Sequence, residues 1–325
     1  MVGADLDEFG EIDRLFRPLT GDAPEALGLL DDAAVLQPPP GEELVVTTDA
    51  MVEGVHWLPD TPPGLVARRL LRTNLSDLAA KGAEPWLWWL TVAWPPGWDA
   101  AARAAFAAGL AEDQARYGLR LAGGDTVRTP GPAMVSATLV GRAPAGATVR
   151  RSGALAGDVL LVSGTIGDAG LGLERRRAGA PVDDPVVARH LLPEPRLPLR
   201  TALRTHAAAA ADVSDGLLAD AGRIALASGV GVEVDLSTVP LSAAAVGWLA
   251  GEGDEAAGRL RLATAGDDYE LVIAARPERA DALMAEARSA GAPLTRVGRF
   301  TAGEGVRALF GRRELQATHL GWRHH

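Results

Sequence analysis

The sequence predicts a soluble α/β (α+β) protein built from two domains. Three observations lead there. The chain has 325 residues, more than one typical domain holds. Short β-branched runs alternate with stretches of helical period in both halves. Glycine and proline collect without apolar periodicity in "GRAPAGATVRRSGALAGD", residues 141–158, which reads as a hinge. The division is therefore 1–145 for an N-terminal domain and 146–325 for a C-terminal one.

The N-terminal elements follow from period. Residues 5–17 carry Phe9, Ile12, Leu15 and Phe16 at helical spacing. Strands are expected at 33–36 and 43–48, the second ending its apolar run at Thr47, Thr48 and Asp49. "GLVARRLLRTNLSDLAAKGA" has apolar residues at 66, 70, 71, 75 and 78, one face of a helix. "WLWWLTVAW", residues 86–94, reads as a buried strand or as an interface strand, because so continuous an aromatic run is not left facing water. Ala100 to Tyr117 is alanine-rich helix, and 133–140 is strand again.

The second half restarts with the strand "DVLLVSG" and the turn "GTIGDAGLGL". Helices are expected near 168–178, at 184–192, in "DGLLADAGRIALASG" and at 277–290, with strands in "GVEVDL" and "DYELVIAA". The turn Gly164–Gly170 superficially resembles a dinucleotide fingerprint but does not match G-x-G-x-x-G, so close helix–strand packing is the expectation there.

Composition excludes several functions. A formal net charge of -10 argues against nucleic acid and anionic lipid as partners. No cysteine is present, which removes disulfides, thiolate metal sites and thiol nucleophiles together. The acidic start lacks the basic and apolar regions of a secretory signal, and no apolar stretch reaches the roughly 20 residues of a membrane span. A cytoplasmic protein is expected. Lys81 is the one lysine, and "LAAKGAEP" fits neither a Walker loop nor a kinase V-A-I-K strand.

What recurs is aspartate in small-residue turns: Asp31-Asp32 in "LLDDAAVL", Asp49 in "VVTTDAM", Asp77 in "NLSDLAAKGA", Asp125 in "LAGGDTVR", Asp212 and Asp215 in "ADVSDGLLAD", and Asp267-Asp268 in "TAGDDYEL". Singly, each suits a turn or a helix cap. Should they converge, their repulsion demands hard cations, and oxygen-only ligands fit Mg²⁺.

In that order, "DDAAVL", "TTDAMVEGVHW", "NLSDLAAKGAEP", "LAGGDT", "RRSGALAGD", "DVSDGLLAD" and "GDDYEL" resemble the thiamine-monophosphate kinase family, within the superfamily that includes aminoimidazole ribonucleotide synthetase. The resemblance implies an ATP-dependent phosphotransferase making thiamine diphosphate by in-line transfer. It implies an N-terminal sheet that pairs with its twin across a homodimer, and a C-terminal α/β domain closing the active-site cleft. It further implies magnesium held by Asp32, Thr47, Thr48, Asp49, Asp77, Asp125, Asp212 and Asp215, and ATP contacted by Gly124, Asp125, Arg151 and Ser214. Thiamine monophosphate would meet His56, Asp267 and Trp322, with Asp77, Asp125, Asp215 and Arg151 as the catalytic set. Leu30 stands where the family has glycine, and Asp267 where it has glutamate. The alternatives are another ATP-dependent synthetase of the superfamily or a catalytically silent metal-binding scaffold. Relatives that use a reactive cysteine are disfavoured by its absence here.

Overall fold

The computed structural model describes residues 8–322, and the chain folds into two compact units. One comprises the chain up to Leu78 with Glu84–Gly146, and the other comprises Ala79–Ala83 with the chain from Ala147 onward.

In the first unit four strands form one sheet in the order β1-β4-β2-β3: β1 (Glu42–Val52), β2 (Glu84–Trp94), β3 (Arg120–Arg128) and β4 (Met134–Pro144). β2 and β3 run parallel, and the other pairings are antiparallel. Two long helices, α2 (Pro63–Ala80) and α3 (Ala100–Tyr117), follow a short α1 (Glu8–Glu11). The α2 residues Val66, Leu70, Leu71, Leu75 and Leu78 are all fully buried, as the helical period requires. Asp99 caps α3 by accepting from the Ala102 amide at 2.8 Å, and Gly118 closes it in a left-handed conformation at φ 72°.

The tryptophan run is resolved by strand alternation. Trp88 and Trp94 face the helices and are buried: Trp88 donates to Gln114 of α3 at 2.9 Å, and Trp94 meets Phe106 edge-on. Trp89 points to the other face and is half-buried there. The aromatic run is thus largely core within its own unit.

Three expectations change. Residues 33–36 form no strand. Ala34 and Leu36 instead lie in a segment packed with Ala23, Ala26, Leu87 and Val140 against the second face of the sheet. The expected helix over 5–17 is, among the described residues, a single α turn followed by a π turn at Ile12–Phe16 and a 3₁₀ turn at Arg17–Thr20; residues 5–7 lie outside the described ones. β1 does not end at Asp49 but pairs with β4 as far as Val52, because Met51 brings one more apolar side chain to the buried face.

The second unit carries a seven-stranded sheet in the order β11-β10-β7-β9-β5-β8-β6. The strands are β5 (Val159–Ser163), β6 (Ala207–Asp212), β7 (Gly231–Asp235), β8 (Leu271–Ala275), β9 (Leu294–Thr301), β10 (Val306–Phe310) and β11 (Arg313–Leu315). Among the described residues of this sheet, only β7 and β10 pair in parallel. The helices are α4 (Asp168–Arg177), α5 (Pro185–Leu191), α6 (Arg200–His206), α7 (Leu217–Ser228), α8 (Ala243–Leu249), α9 (Glu255–Ala263) and α10 (Pro277–Ser289).

Both faces of this sheet are covered, so its central strands read as unbroken apolar runs. Leu160, Val162, Val272 and Ala274 pack with Leu217, Leu218, Ala221 and Ile224 of α7. Their neighbours Leu161, Leu271, Ile273 and Ala275 pack on the opposite side with Leu199, Leu203, Ala280 and Leu283. Among the described residues no helix is long and apolar enough to cross a membrane.

Candidate active site

In the first unit the sheet and α2 bring three of the expected residues together. Alternation along β1 puts Thr47 and Asp49 on the face that meets α2. There the Thr47 hydroxyl donates to Asp77 at 2.5 Å. Asp77 lies in the last turn of α2, where a carboxylate opposes the helix dipole. Burial, and then the nearby charge of Asp77, push the Asp49 carboxyl up to about 6.

Thr48 and Asp125 take the other face. Thr48 bonds Thr138 at 3.0 Å, and the ladder Thr48, Thr138, Trp89, Gly123 carries that face across to β3, where Asp125 lies two residues on. Gly124 belongs to the Asp49 face, opposite Leu90, whose carbonyl a Cβ at 124 would strike. Asp32 is in an exposed turn, its amide donating to Asp31 at 2.8 Å. Leu30 has φ -110°, so the turn needs no glycine at that position; positive φ falls instead on Leu27, Gly28 and Leu29. His56 accepts the Val52 amide at Nδ1 over 3.0 Å, which leaves the proton of its neutral ring on Nε2.

In the second unit β6 ends at Asp212, which is buried, and the segment Val213–Gly216 turns into α7. Asp215 pairs with Arg223, and its carbonyl accepts the Trp322 amide at 2.9 Å. The Ser214 carbonyl accepts the Asp267 amide at 2.8 Å, so Ser214, Asp215, Asp267 and Trp322 share one neighbourhood. Arg151 is exposed, its carbonyl accepting from Ser228 at 3.4 Å.

Sequence reasoning missed what fastens this turn. Asp267 and Tyr269 have φ of 65° and 50°, unusual for residues other than glycine. Between them Asp268 is buried and accepts the amides of Gly167 at 2.7 Å and Ala169 at 3.2 Å. Burial drives its carboxyl up to about 7 against those two donors. Glu270 is held by Arg189 at 3.0 Å, by a two-pronged Arg196, and by the Ser163 hydroxyl at 2.6 Å. His190 approaches Asp267 at 3.5 Å. The glycine-rich turn is thereby explained. A Cβ at Gly164 would collide with the Glu270 carboxylate, and the amides at the start of α4 are already taken by the chain's own carboxyl group, Asp268.

Among the described residues no three His, Cys, Asp or Glu side chains gather to hold a metal by themselves. Magnesium asks for less, since it keeps waters and takes one or two carboxylates plus substrate phosphates. The donors around Asp49 fit it: the Asp49 carboxylate, whose proton affinity burial and then Asp77 raise, the Asp77 carboxylate beside it, and the hydroxyl of Thr47, all of them oxygen ligands.

Residues 30–143 match the family model described as AIR synthase related protein, N-terminal domain, and residues 156–311 match AIR synthase related protein, C-terminal domain. Fold and site thus define the class: a two-domain AIR synthase related protein. The thiamine-monophosphate kinase of Caulobacter vibrioides is 53% identical over 318 residues, spanning 98% of this chain and 90% of the relative. The chain belongs to the thiamine-monophosphate kinase family. A crystal structure of thiamine-monophosphate kinase from Stenotrophomonas maltophilia K279a superposes with a TM-score of 0.82 at 39% identity, covering 93% of this chain and 96% of that one. A structure described as AaThiL complexed with AMPPCP and TMP gives a TM-score of 0.75 at 28% identity, covering 97% and 99%.

Proposed function

We propose that this protein transfers the γ-phosphoryl group of ATP to thiamine monophosphate, making thiamine diphosphate and ADP. The observation that carries the reading is the Asp49–Asp77 pair, whose mutual repulsion a cation would relieve, in a chain of this family. An oxygen of the acceptor phosphate forms a bond to the γ-phosphorus while the bond to the β,γ-bridging oxygen breaks. ADP leaves with that electron pair, in line with the attack. A phosphate oxygen is already nucleophilic, so no side chain need take a proton from it.

Asp49, Asp77 and Thr47 would hold magnesium in the first unit, with Asp32, Thr48 and Asp125 as further oxygen donors, and Asp212 and Asp215 in the second. Bound there, magnesium neutralises phosphate charge and fixes its orientation. The chain's own groups do the rest. Arg151 offers a fixed positive charge for ATP phosphates, with backbone contacts from Gly124 and Ser214. Asp267, held by its turn and by His190, offers a carboxylate to the cationic thiamine ring, while His56 can donate from Nε2 and Trp322 supplies an aromatic face.

A cytoplasmic homodimer is part of the same proposal. The β1 face carrying Val46, which is 62% exposed, Thr48 and Ala50 is open to a partner, and mass by light scattering tests that state. The reaction itself is tested by ³¹P NMR with Mg-ATP. A new diphosphate signal is expected with thiamine monophosphate and none with thiamine, and transfer to thiamine alone, or to neither, overturns the reading.

A further inference from the structure

At the start of α7 a single guanidinium spans two carboxylates of different character. Asp220, with no exposed side chain, turns back on the helix start and accepts the amides of Asp215 at 3.0 Å and Gly216 at 3.2 Å. This fixes the backbone that carries Asp215. Arg223, one turn further along the same face, donates to Asp220 at 2.5 Å through one terminal nitrogen and to Asp215 through the other. The Asp215 side chain is 22% exposed and that of Arg223 40%, so the outer half of this bridge borders solvent while the inner half is anchored.

The arrangement has a chemical consequence that depends on the reading of Asp215 as a magnesium ligand. A carboxylate already neutralised by a forked, permanently charged donor binds an incoming cation only by giving that donor up. Arg223 can give it up without becoming unpaired, because Asp220 remains its partner. We propose that Arg223 is a resident counter-cation that occupies Asp215 in the nucleotide-free protein and competes with the metal for it. It therefore weakens binding of free divalent cation while keeping the Asp215 side chain aimed. Metal arriving together with nucleotide phosphates brings further contacts that offset the loss of the Arg223–Asp215 pair, so the competition favours loaded nucleotide over free metal.

The test is direct binding of Mn²⁺ to the full chain without nucleotide, followed by electron paramagnetic resonance, on the wild type, Arg223→Gln, Arg223→Lys and Asp215→Asn. Glutamine keeps a polar amide donor but carries no charge, and circular dichroism checks that each variant is folded. Arg223→Gln is expected to tighten Mn²⁺ binding on the order of tenfold, within the usual range of coupling between two sites. Arg223→Lys, which keeps the charge but lacks the fork, is expected to fall between glutamine and wild type. Asp215→Asn is expected to weaken binding. Should Asp215→Asn weaken it while Arg223→Gln leaves it unchanged or weaker, the competition is refuted and the ligand assignment stands. Should Asp215→Asn change nothing, the ligand assignment fails and the proposal fails with it.

Discussion

Thr47 donates its hydroxyl hydrogen to Asp77 over 2.5 Å, tying the middle of β1 to the last turn of α2. That bond holds a carboxylate where the helix dipole and Asp49 both disfavour it, so the position is costly to the fold and needs a reason outside it. Asp77→Asn should therefore lose activity, roughly 10²-fold or more in kcat. It should unfold no earlier than wild type, since the repulsion of Asp49 goes with it. ADP release and calorimetry check the two halves. Full turnover, or a Tm lower by more than about 4 °C, corresponding to over 1 kcal/mol in a chain of this size, would make Asp77 a structural residue.

Much of this architecture was legible because burial and period coincide. The α2 stripe at 66, 70, 71, 75 and 78 is core at every position. The strand runs "VLLV" and "LVIAA" are apolar throughout because their sheet is covered on both faces. Where the chain departs from period, local signals failed. Residues 33–36 are apolar enough for a strand, yet Ala34 and Leu36 use that apolarity to cover the second face of the four-stranded sheet with Ala23, Ala26, Leu87 and Val140 and do not pair along an edge. At the site, the residue types were readable but their faces were not. Thr47-Thr48-Asp49 reads as one cluster, and the pleat sends Thr48 to the side away from the other two. The roles of Asp268 and Glu270 were missed because their partners, Gly167, Ala169, Ser163, Arg189 and Arg196, are remote in sequence, and that of Asp220 because it acts on backbone amides; the Asp220–Arg223 pair does sit at the helical i,i+3 spacing, a signal too common on helices to single it out.

Asp49 makes cation dependence a function of pH. Its folded-state pKa of about 6 lies above the ordinary value of 3.8, so in the metal-free protein its contribution to stability is complete below 3.8 and lost as pH rises through about 6. A cation binds only the ionised form and compensates that loss. The rise in Tm caused by added Mg²⁺ should accordingly be large at pH 8 and small at pH 5, and Asp49→Asn should flatten the difference. Equal shifts at both pH values in the wild type would remove Asp49 from the cation's surroundings.

Asp268 gives a second pH effect, this one independent of any cation. Burial raises its carboxyl from 3.8 to about 7 despite the Gly167 and Ala169 amides. The sign is that of a raised acid: the folded chain holds a proton that the unfolded chain has released, so stability falls as pH climbs through this window. Asp268→Asn cannot ionise and should lack that part of the slope. Melting curves of both proteins from pH 4.5 to 8 should converge toward high pH if the variant is the less stable at low pH. Parallel curves would show that Asp268 ionises in the folded state as readily as in the unfolded one.

Asp267 joins backbone and substrate demands in one residue. At φ 65° it occupies the left-handed region that aspartate and asparagine tolerate better than longer side chains. Asp267→Asn keeps that tolerance and the volume and removes only the charge, so the fold should be unchanged. The KM for thiamine monophosphate should rise about tenfold, the worth of roughly 1.4 kcal/mol in a charged contact, while the KM for ATP stays put. Asp267→Glu reverses the pattern. It keeps the charge and, being partly exposed beside His190, has room for one more methylene, but it should cost about 1 kcal/mol of stability in that backbone conformation. Steady-state kinetics with each substrate varied, set beside melting temperatures, separate the two variants. A shared rise in both KM values for asparagine, or a large loss of kcat/KM for glutamate at unchanged Tm, would show that the carboxylate at 267 does something other than meet the thiamine cation.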